Sequence, residues 1–365
     1  MARRLTPFDV RRHDMRFLLP FDLFNENGVL ILAQGSDLGD AARVAKMAEI
    51  GLYRMETESA QESKPSSEVL SELAERYTFI TAPERKIDPR ELVSIADELN
   101  RLLTEQSDLC VGMLLHLEMG SSARRHALFV AALSYLVAVN LGLGRATQKT
   151  LIRAALSMNL ASFELQDELA GVARPLTAEE RESLSLHPWR STEMLAKAGV
   201  TDINWLRTVL QHHENLDQSG YPYRVGKEAL VTEARILRVV DVFAAMLSPR
   251  YTRSAFIPSQ AVRMAFERER GHLDDAVMLI LRRLIGKYPP GTLVKLANRE
   301  TAVITRWFRN ADTPRFVVSL LWPSGHPMQL PHARKTSLYG YGIREHTSLP
   351  LAGPQLDWPK IWAQG

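Results

Sequence analysis

Apolar residues recur every three to four positions through most of the middle of this chain, the spacing of helices that bury one face. The spacing predicts helices over residues 69–77, 89–105, 111–118, 122–143, 147–160, 177–184, 188–198, 204–213, 232–247, 258–270 and 274–285. Asp88 before Pro89 gives one of them a cap and a proline at its first position. The two ends of the chain read differently. Residues 16–33 form two apolar runs around Asn25-Glu26-Asn27-Gly28, and Asn-Gly suits the positive φ of a tight hairpin turn. A helix over residues 40–49, closing near Gly51-Leu52-Tyr53, completes a small α/β module. Residues 56–67 are rich in Ser, Glu, Lys and Pro without apolar periodicity, the composition of a solvated linker. After Pro289-Pro290-Gly291, residues 292–296, 301–307 and 315–321 alternate with β-branched positions and predict short strands. The expected fold is mainly α: an N-terminal α/β module (1–58), a linker with a connecting helix (59–92), an all-helical domain (93–287) and a small C-terminal β-rich element (288–365).

Composition narrows the classes. The net charge of +3 arises from 45 basic and 42 acidic side chains, a balance that argues against a nucleic-acid polymer as partner. A single cysteine, Cys110, excludes an internal disulfide framework and fits a reducing cytoplasm, with a buried thiol as its role. Residues 127–144 are apolar almost throughout, but Ser134, Tyr135 and Asn140 interrupt them and interfacial tryptophans are missing, so a core helix is expected rather than a membrane span. The basic N-terminus lacks the apolar stretch of a secretory signal.

The densest chemistry lies in Gln211-His212-His213-Glu214-Asn215-Leu216-Asp217-Gln218-Ser219-Gly220-Tyr221-Pro222. Together with His126, His187 and Asp241, the two adjacent histidines make a candidate ligand set for one divalent transition metal, zinc, iron or manganese. Asp241 stands among Val239, Val240, Val242 and Phe243, where a carboxylate needs a partner or a proton. His212 and His213 lie about 100° apart on an ideal helix, so both serve one ion only near a helix end, or else bracket two ions. Arg190, Arg235, Arg238, Arg250 and Arg253 are candidate phosphate clamps, against the alternative of a solvated helix face.

From about residue 122 to 285 the chain resembles the HD-GYP domains, metal-dependent phosphodiesterases of cyclic di-GMP in bacteria. The landmarks come in family order: His126, Ala154-Ala155-Leu156, His187-Pro188, His212-His213-Glu214, Asp217 with Ser219-Gly220-Tyr221-Pro222, and Ala234-Arg235-Ile236-Leu237 leading to Asp241. The resemblance implies an all-helical HD-type domain with metal held by His126, His187, His212, His213 and Asp241. It also implies partners: cyclic di-GMP, a diguanylate cyclase (GGDEF) domain met by an exposed Tyr221 in the Gly220-Tyr221-Pro222 loop, or a second copy of the chain. The departures bear on activity. Met158 and Asn159 stand where the family has its His-Asp pair, Ser162 where a lysine follows, and Ser122 where some members carry an acidic ligand. The expectation is a degenerate signalling protein that binds a partner, cyclic di-GMP, or both. An active phosphodiesterase on a reduced metal site and a metal-free interaction scaffold are the alternatives.

Overall fold

The computed structural model describes residues 3–8, 22–32, 36, 51–57, 64–248, 255–308, 313–349 and 356–362. Contacts divide the chain into two units, Met1–Lys64 and Pro65–Gly365.

In the first unit the Asn-Gly turn forms as its chemistry dictates. Asn25 Oδ1 accepts from the backbone N–H groups of Asn27 (3.0 Å) and Val29 (2.9 Å), and Gly28 takes φ 75°. The turn joins β2 (Leu23–Phe24) to β3 (Leu30–Leu32) in an antiparallel sheet of order β1-β4-β2-β3, with β1 at Arg3–Phe8 and β4 at Leu52–Thr57. Two expectations are corrected here. Residues 52–57 are a strand in the sheet interior, not a helix end running into a linker. Residues 3–8, read only as basic, pair with that strand along its whole length. Pro7 is tolerated because β1 is an edge strand. The expected helix over residues 40–49 lies outside the described residues.

The second unit is mainly helical. α1 (Ser66–Ile80) packs on α2 (Pro89–Leu114), whose cap Asp88 accepts from Arg90 N–H (2.9 Å). The break expected near residue 106 is found at Gln106 (φ −143°, ψ 53°), where α2 kinks between two helical segments. α3 (Ser122–Asn140) is the hub: residues 127–138 are buried without interruption, so the helix is apolar on all sides because α2, α4 (Arg145–Ser157) and α8 (Thr232–Leu247) surround it. Among the described residues no helix is long and apolar enough to cross a membrane. Tyr77 links α1 to this core by donating its hydroxyl to Leu156 O (2.6 Å). Cys110 is buried, and burial first, then nearby Asp108, pushes its thiol up to about 12, so it stays protonated.

An unexpected helix, α5 (Phe163–Ala170), follows α4 after one turn. α6 (Ala178–Lys197) opens on a capping box between Thr177 and Glu180 and runs straight through Pro188, where two separate helices were expected. α7 (Ile203–Gln211), α9 (Pro258–Arg268) and α10 (Asp275–Ile285) complete the bundle.

The C-terminal strands β5 (Leu293–Leu296), β6 (Thr301–Val303), β7 (Phe316–Leu321), β8 (Pro327–Lys335) and β9 (Ile343–His346) form an antiparallel sheet of order β8-β7-β6-β5-β9. β8 and β9 were not expected, because their exposed, mixed composition lacks clean alternation. A short helix, α11 (Trp358–Trp362), then docks on α1 and α2. Trp362 lies directly over Gly112, where an added Cβ would overlap its ring. Gly112→Ala is therefore expected to destabilise the protein by about 1–3 kcal/mol, read as a lower urea midpoint with an unchanged slope.

Candidate functional site

Three histidines converge because helix geometry leaves two carbonyls without partners. Pro188 has no N–H, so the carbonyl four residues earlier, Leu184 O, lacks its helical donor. His187 fills the gap: its Nδ1–H donates to Leu184 O (2.5 Å), which keeps α6 intact across the proline. At the end of α7, Val209 O is one of the carbonyls a helix leaves orphaned, and His212 Nδ1–H donates to it (2.6 Å). Both Nδ1 atoms are thus protonated, and both Nε2 lone pairs are bare. They face each other at 3.2 Å. Two nitrogens bound to one tetrahedral zinc at about 2.0–2.1 Å stand close to that spacing.

His213 joins them, with candidate ligand atoms of all three within 4.8 Å of one another. Burial, ahead of the neighbouring imidazoles and Arg238, pushes His212 down to about 3 and His213 well below its ordinary value; burial also lowers His187. All three are neutral at pH 7, the protonation state a metal ligand needs. Carbonyl-oriented imidazoles with opposed lone pairs therefore fit a divalent transition metal.

His126 and Asp241 sit on adjacent α3 and α8 and satisfy each other: His126 Nε2–H donates to Asp241 Oδ1 (2.7 Å). Burial alone would raise the Asp241 carboxyl, but that hydrogen bond and the surrounding imidazoles outweigh it and hold the group well below the carboxylate range. The buried carboxylate's need for a partner is met within the protein.

The Gly220-Tyr221-Pro222 loop wraps back on this cluster. A Cβ at Gly220 would lie within 2.5 Å of Glu214 Cα and His213 O, so only glycine allows the approach. Tyr221 stacks on His213 (centroids 4.7 Å apart, 23° between planes), and the Tyr221–Pro222 peptide is cis. Glu214 is buried and anchors the loop's far side, accepting from the N–H groups of Tyr223 (2.7 Å), Arg224 (3.0 Å) and Val225 (3.3 Å). The expected exposed anchor, Tyr221, is turned inward; Tyr223, 57 % exposed, is the loop's outward aromatic.

A cavity of about 440 Å³ lies beside the cluster. Its walls include His126, Asn159, His187, His213, Tyr221 and Asp241, with Gln166 and Arg174 from the unexpected α5 and the turn after it. Neither residue was anticipated; the signal available was the amphipathic run Phe163-Glu164-Leu165-Gln166 behind Ser162. Met158 is fully buried in the hydrophobic core and does not border the cavity, while Asn159 does. Ser162 is buried and accepts from Gln166 Nε2 (2.8 Å).

The candidate arginine clamps do not gather here. Arg190 donates to Ser183 Oγ (3.1 Å) on an exposed face, Arg235 is ion-paired with Asp274, and Arg238 donates to Asn215 Oδ1 (2.9 Å) and lies 3.4 Å from His213 Nδ1. Arg250 and Arg253 lie outside the described residues. Arg174, the one arginine among the described residues of the cavity wall, is held by Glu180 through two bonds of 2.8 and 2.7 Å.

A bundle of helices around a histidine cluster with a helix-borne aspartate defines a protein class, and sequence comparison agrees: the HD domain family model matches residues 94–277. The chain belongs to the HD domain family. Among its curated relatives, the cyclic di-GMP phosphodiesterase PA4108 of Pseudomonas aeruginosa is 25 % identical over 233 residues, 64 % of this chain and 56 % of the relative. The cyclic di-GMP phosphodiesterase response regulator RpfG of Xanthomonas campestris pv. campestris is 33 % identical over 141 residues, 38 % of this chain and 37 % of the relative. The chain thus spans less than two thirds of either relative. Of solved structures, Bd1817, described as an HDG"Y"P protein from Bdellovibrio bacteriovorus, aligns with TM-score 0.51 and 12 % identity over 77 % of this chain and 98 % of that one, a likeness of fold.

Proposed function

We propose that this protein binds a cyclic dinucleotide, cyclic di-GMP in the first place, in the cavity beside the histidine cluster, and signals by being occupied rather than by efficient cleavage. The observation that carries the reading is the cavity's carboxylate inventory. Asp241 is the single carboxylate on its described walls, and it is engaged by His126. Two divalent ions held together need anionic bridges, and Asn159 offers a neutral amide. The relatives named as cyclic di-GMP phosphodiesterases support the ligand class.

Calorimetric titration of the zinc-loaded chain with cyclic di-GMP is expected to give saturable binding without turnover. Hydrolysis that His212→Ala abolishes would overturn the proposal.

A second reading, a phosphodiesterase running on one metal, is favoured by the facing Nε2 atoms of His187 and His212. His187, His212 and His213 would hold the ion. Zinc, iron or manganese there would polarise a phosphate oxygen and acidify a bound water. Elemental analysis after loading separates these readings from a metal-free scaffold. A protein partner at the Gly220-Tyr221-Pro222 loop would meet Tyr223 rather than Tyr221.

A further inference from the structure

Almost every polar side chain on the cavity wall already has a partner inside the protein. His126 and Asp241 hold each other, Ser122 donates to Asp167 (2.9 Å), Gln166 donates to Ser162, and Arg174 is tied to Glu180. Asn159 is the exception among buried residues. It is 3 % exposed and borders the cavity, yet its side-chain amide makes no hydrogen bond among the described residues. The Asn159 backbone carbonyl is used, accepting from Ser162 N–H (2.9 Å), so the residue is fixed while its side chain is free. The Tyr221 hydroxyl, on the same cavity, also lacks a partner among the described residues.

The Asn159 amide opens on the cavity, so solvent or a ligand there completes its hydrogen bonding. A fixed side chain with no partner inside the protein, facing a cavity, is available to a ligand. The chemistry of the wall decides what it recognises. Arg174, the arginine among its described lining residues, is held by Glu180. The Asn159 amide N–H and the Tyr221 hydroxyl are neutral donors suited to an acceptor-only group.

We infer that the Asn159 side-chain N–H, assisted by the Tyr221 hydroxyl, donates to a non-bridging phosphodiester oxygen of the bound dinucleotide. The position that supplies a carboxylate in the resembling family then serves ligand recognition here. This rests on the proposed binding function and gives it a contact residue. It also accounts for an amide rather than a carboxylate at the site: an anion there would repel the phosphate it now holds.

The test compares wild type, Asn159→Ala, Asn159→Asp and Tyr221→Phe, each loaded with one equivalent of zinc, by calorimetry with cyclic di-GMP, with circular dichroism confirming the fold. A phosphate contact predicts affinity in the order wild type, Asn159→Ala, Asn159→Asp, with a loss of roughly tenfold or more at the first step. Tyr221→Phe, which removes one oxygen only, should weaken binding several-fold. If Asn159→Asp binds as well as or better than wild type, the residue reads the guanine N–H edge instead and the inference is overturned. Asn159→Ala binding like wild type overturns it as well. No binding by wild type sinks the underlying function and this contact with it, whereas wild-type binding with an indifferent Asn159→Ala sinks only the contact.

Discussion

Replacing Met158 by His together with Asn159 by Asp is expected to raise bound metal from at most one equivalent toward two, and cyclic di-GMP hydrolysis by roughly 100-fold or more over wild type. Asn159 borders the cavity that Asp241 and His126 also border, so an aspartate placed there adds a second carboxylate within the same pocket. Two divalent ions about 4 Å apart repel by roughly 17 kcal/mol at an effective dielectric of about 20, and an uncharged amide offsets none of it. The substitution of Asn by Asp is isosteric, so it changes charge without repacking. Met158 presents a harder case, because its side chain fills the core rather than the cavity. A histidine there must leave the core to reach a metal, and so Asn159→Asp alone is expected to give little hydrolysis. The metal-free double variant should be less stable than wild type, since burying an unpaired carboxylate costs several kcal/mol, and metal should restore more stability to it than to wild type. A folded double variant with unchanged metal content and no turnover would show that the defect lies elsewhere.

Acidifying the metal-free protein from pH 7 to pH 5 is expected to remove about 4 kcal/mol of stability from two histidines alone, His116 and His212. His116 Nε2–H donates to Gly291 O (2.7 Å), and its ring stacks on Trp358. Burial leads the causes that push it down to about 4, as burial pushes His212 down to about 3. In the unfolded chain both titrate near 6.5. Between those values the unfolded state binds a proton that the folded state refuses, so stability is complete above about pH 6.5 and falls as pH drops toward the folded values. At pH 5 each group has lost about 2 kcal/mol, and the lowered His187 and His213 act in the same direction. Carboxylates held low, such as Asp241, begin to count only near the unfolded carboxylate range of about 4, which leaves the window from pH 7 to pH 5 to the histidines. Urea unfolding at constant slope measures the loss, and His116→Gln should shrink it by about 2 kcal/mol. A stability that stays flat from pH 7 to pH 5 would contradict the buried neutral state.

The bundle was legible where long apolar runs mark buried helices, as in α3 and α8. Pro188 shows where such reading stops. A proline inside a helical pattern signals a break, but here the freed carbonyl of Leu184 is taken by His187 from the same turn. α5 was missed because eight residues offer too little periodicity, and with it went Gln166 and Arg174 from the cavity wall. Residues 52–57 were misread because their strand identity comes from β1 and β2 on either side, and pairing across the sheet is not a local property.

The amino-acid sequence by itself determined the helical class and the order of the landmark residues, Met158 and Asn159 among them. These are matters of local period and residue identity. Tertiary structure alone decided which groups meet. His126 and Asp241 lie 115 residues apart and close on each other, Tyr221 turns in over His213 because Gly220 permits it, and Met158 and Asn159, adjacent in the chain, face different surroundings. The reason is that hydrogen-bond pairing and cavity access depend on how helices are juxtaposed, and juxtaposition is set by the burial of the whole core rather than by any segment of it.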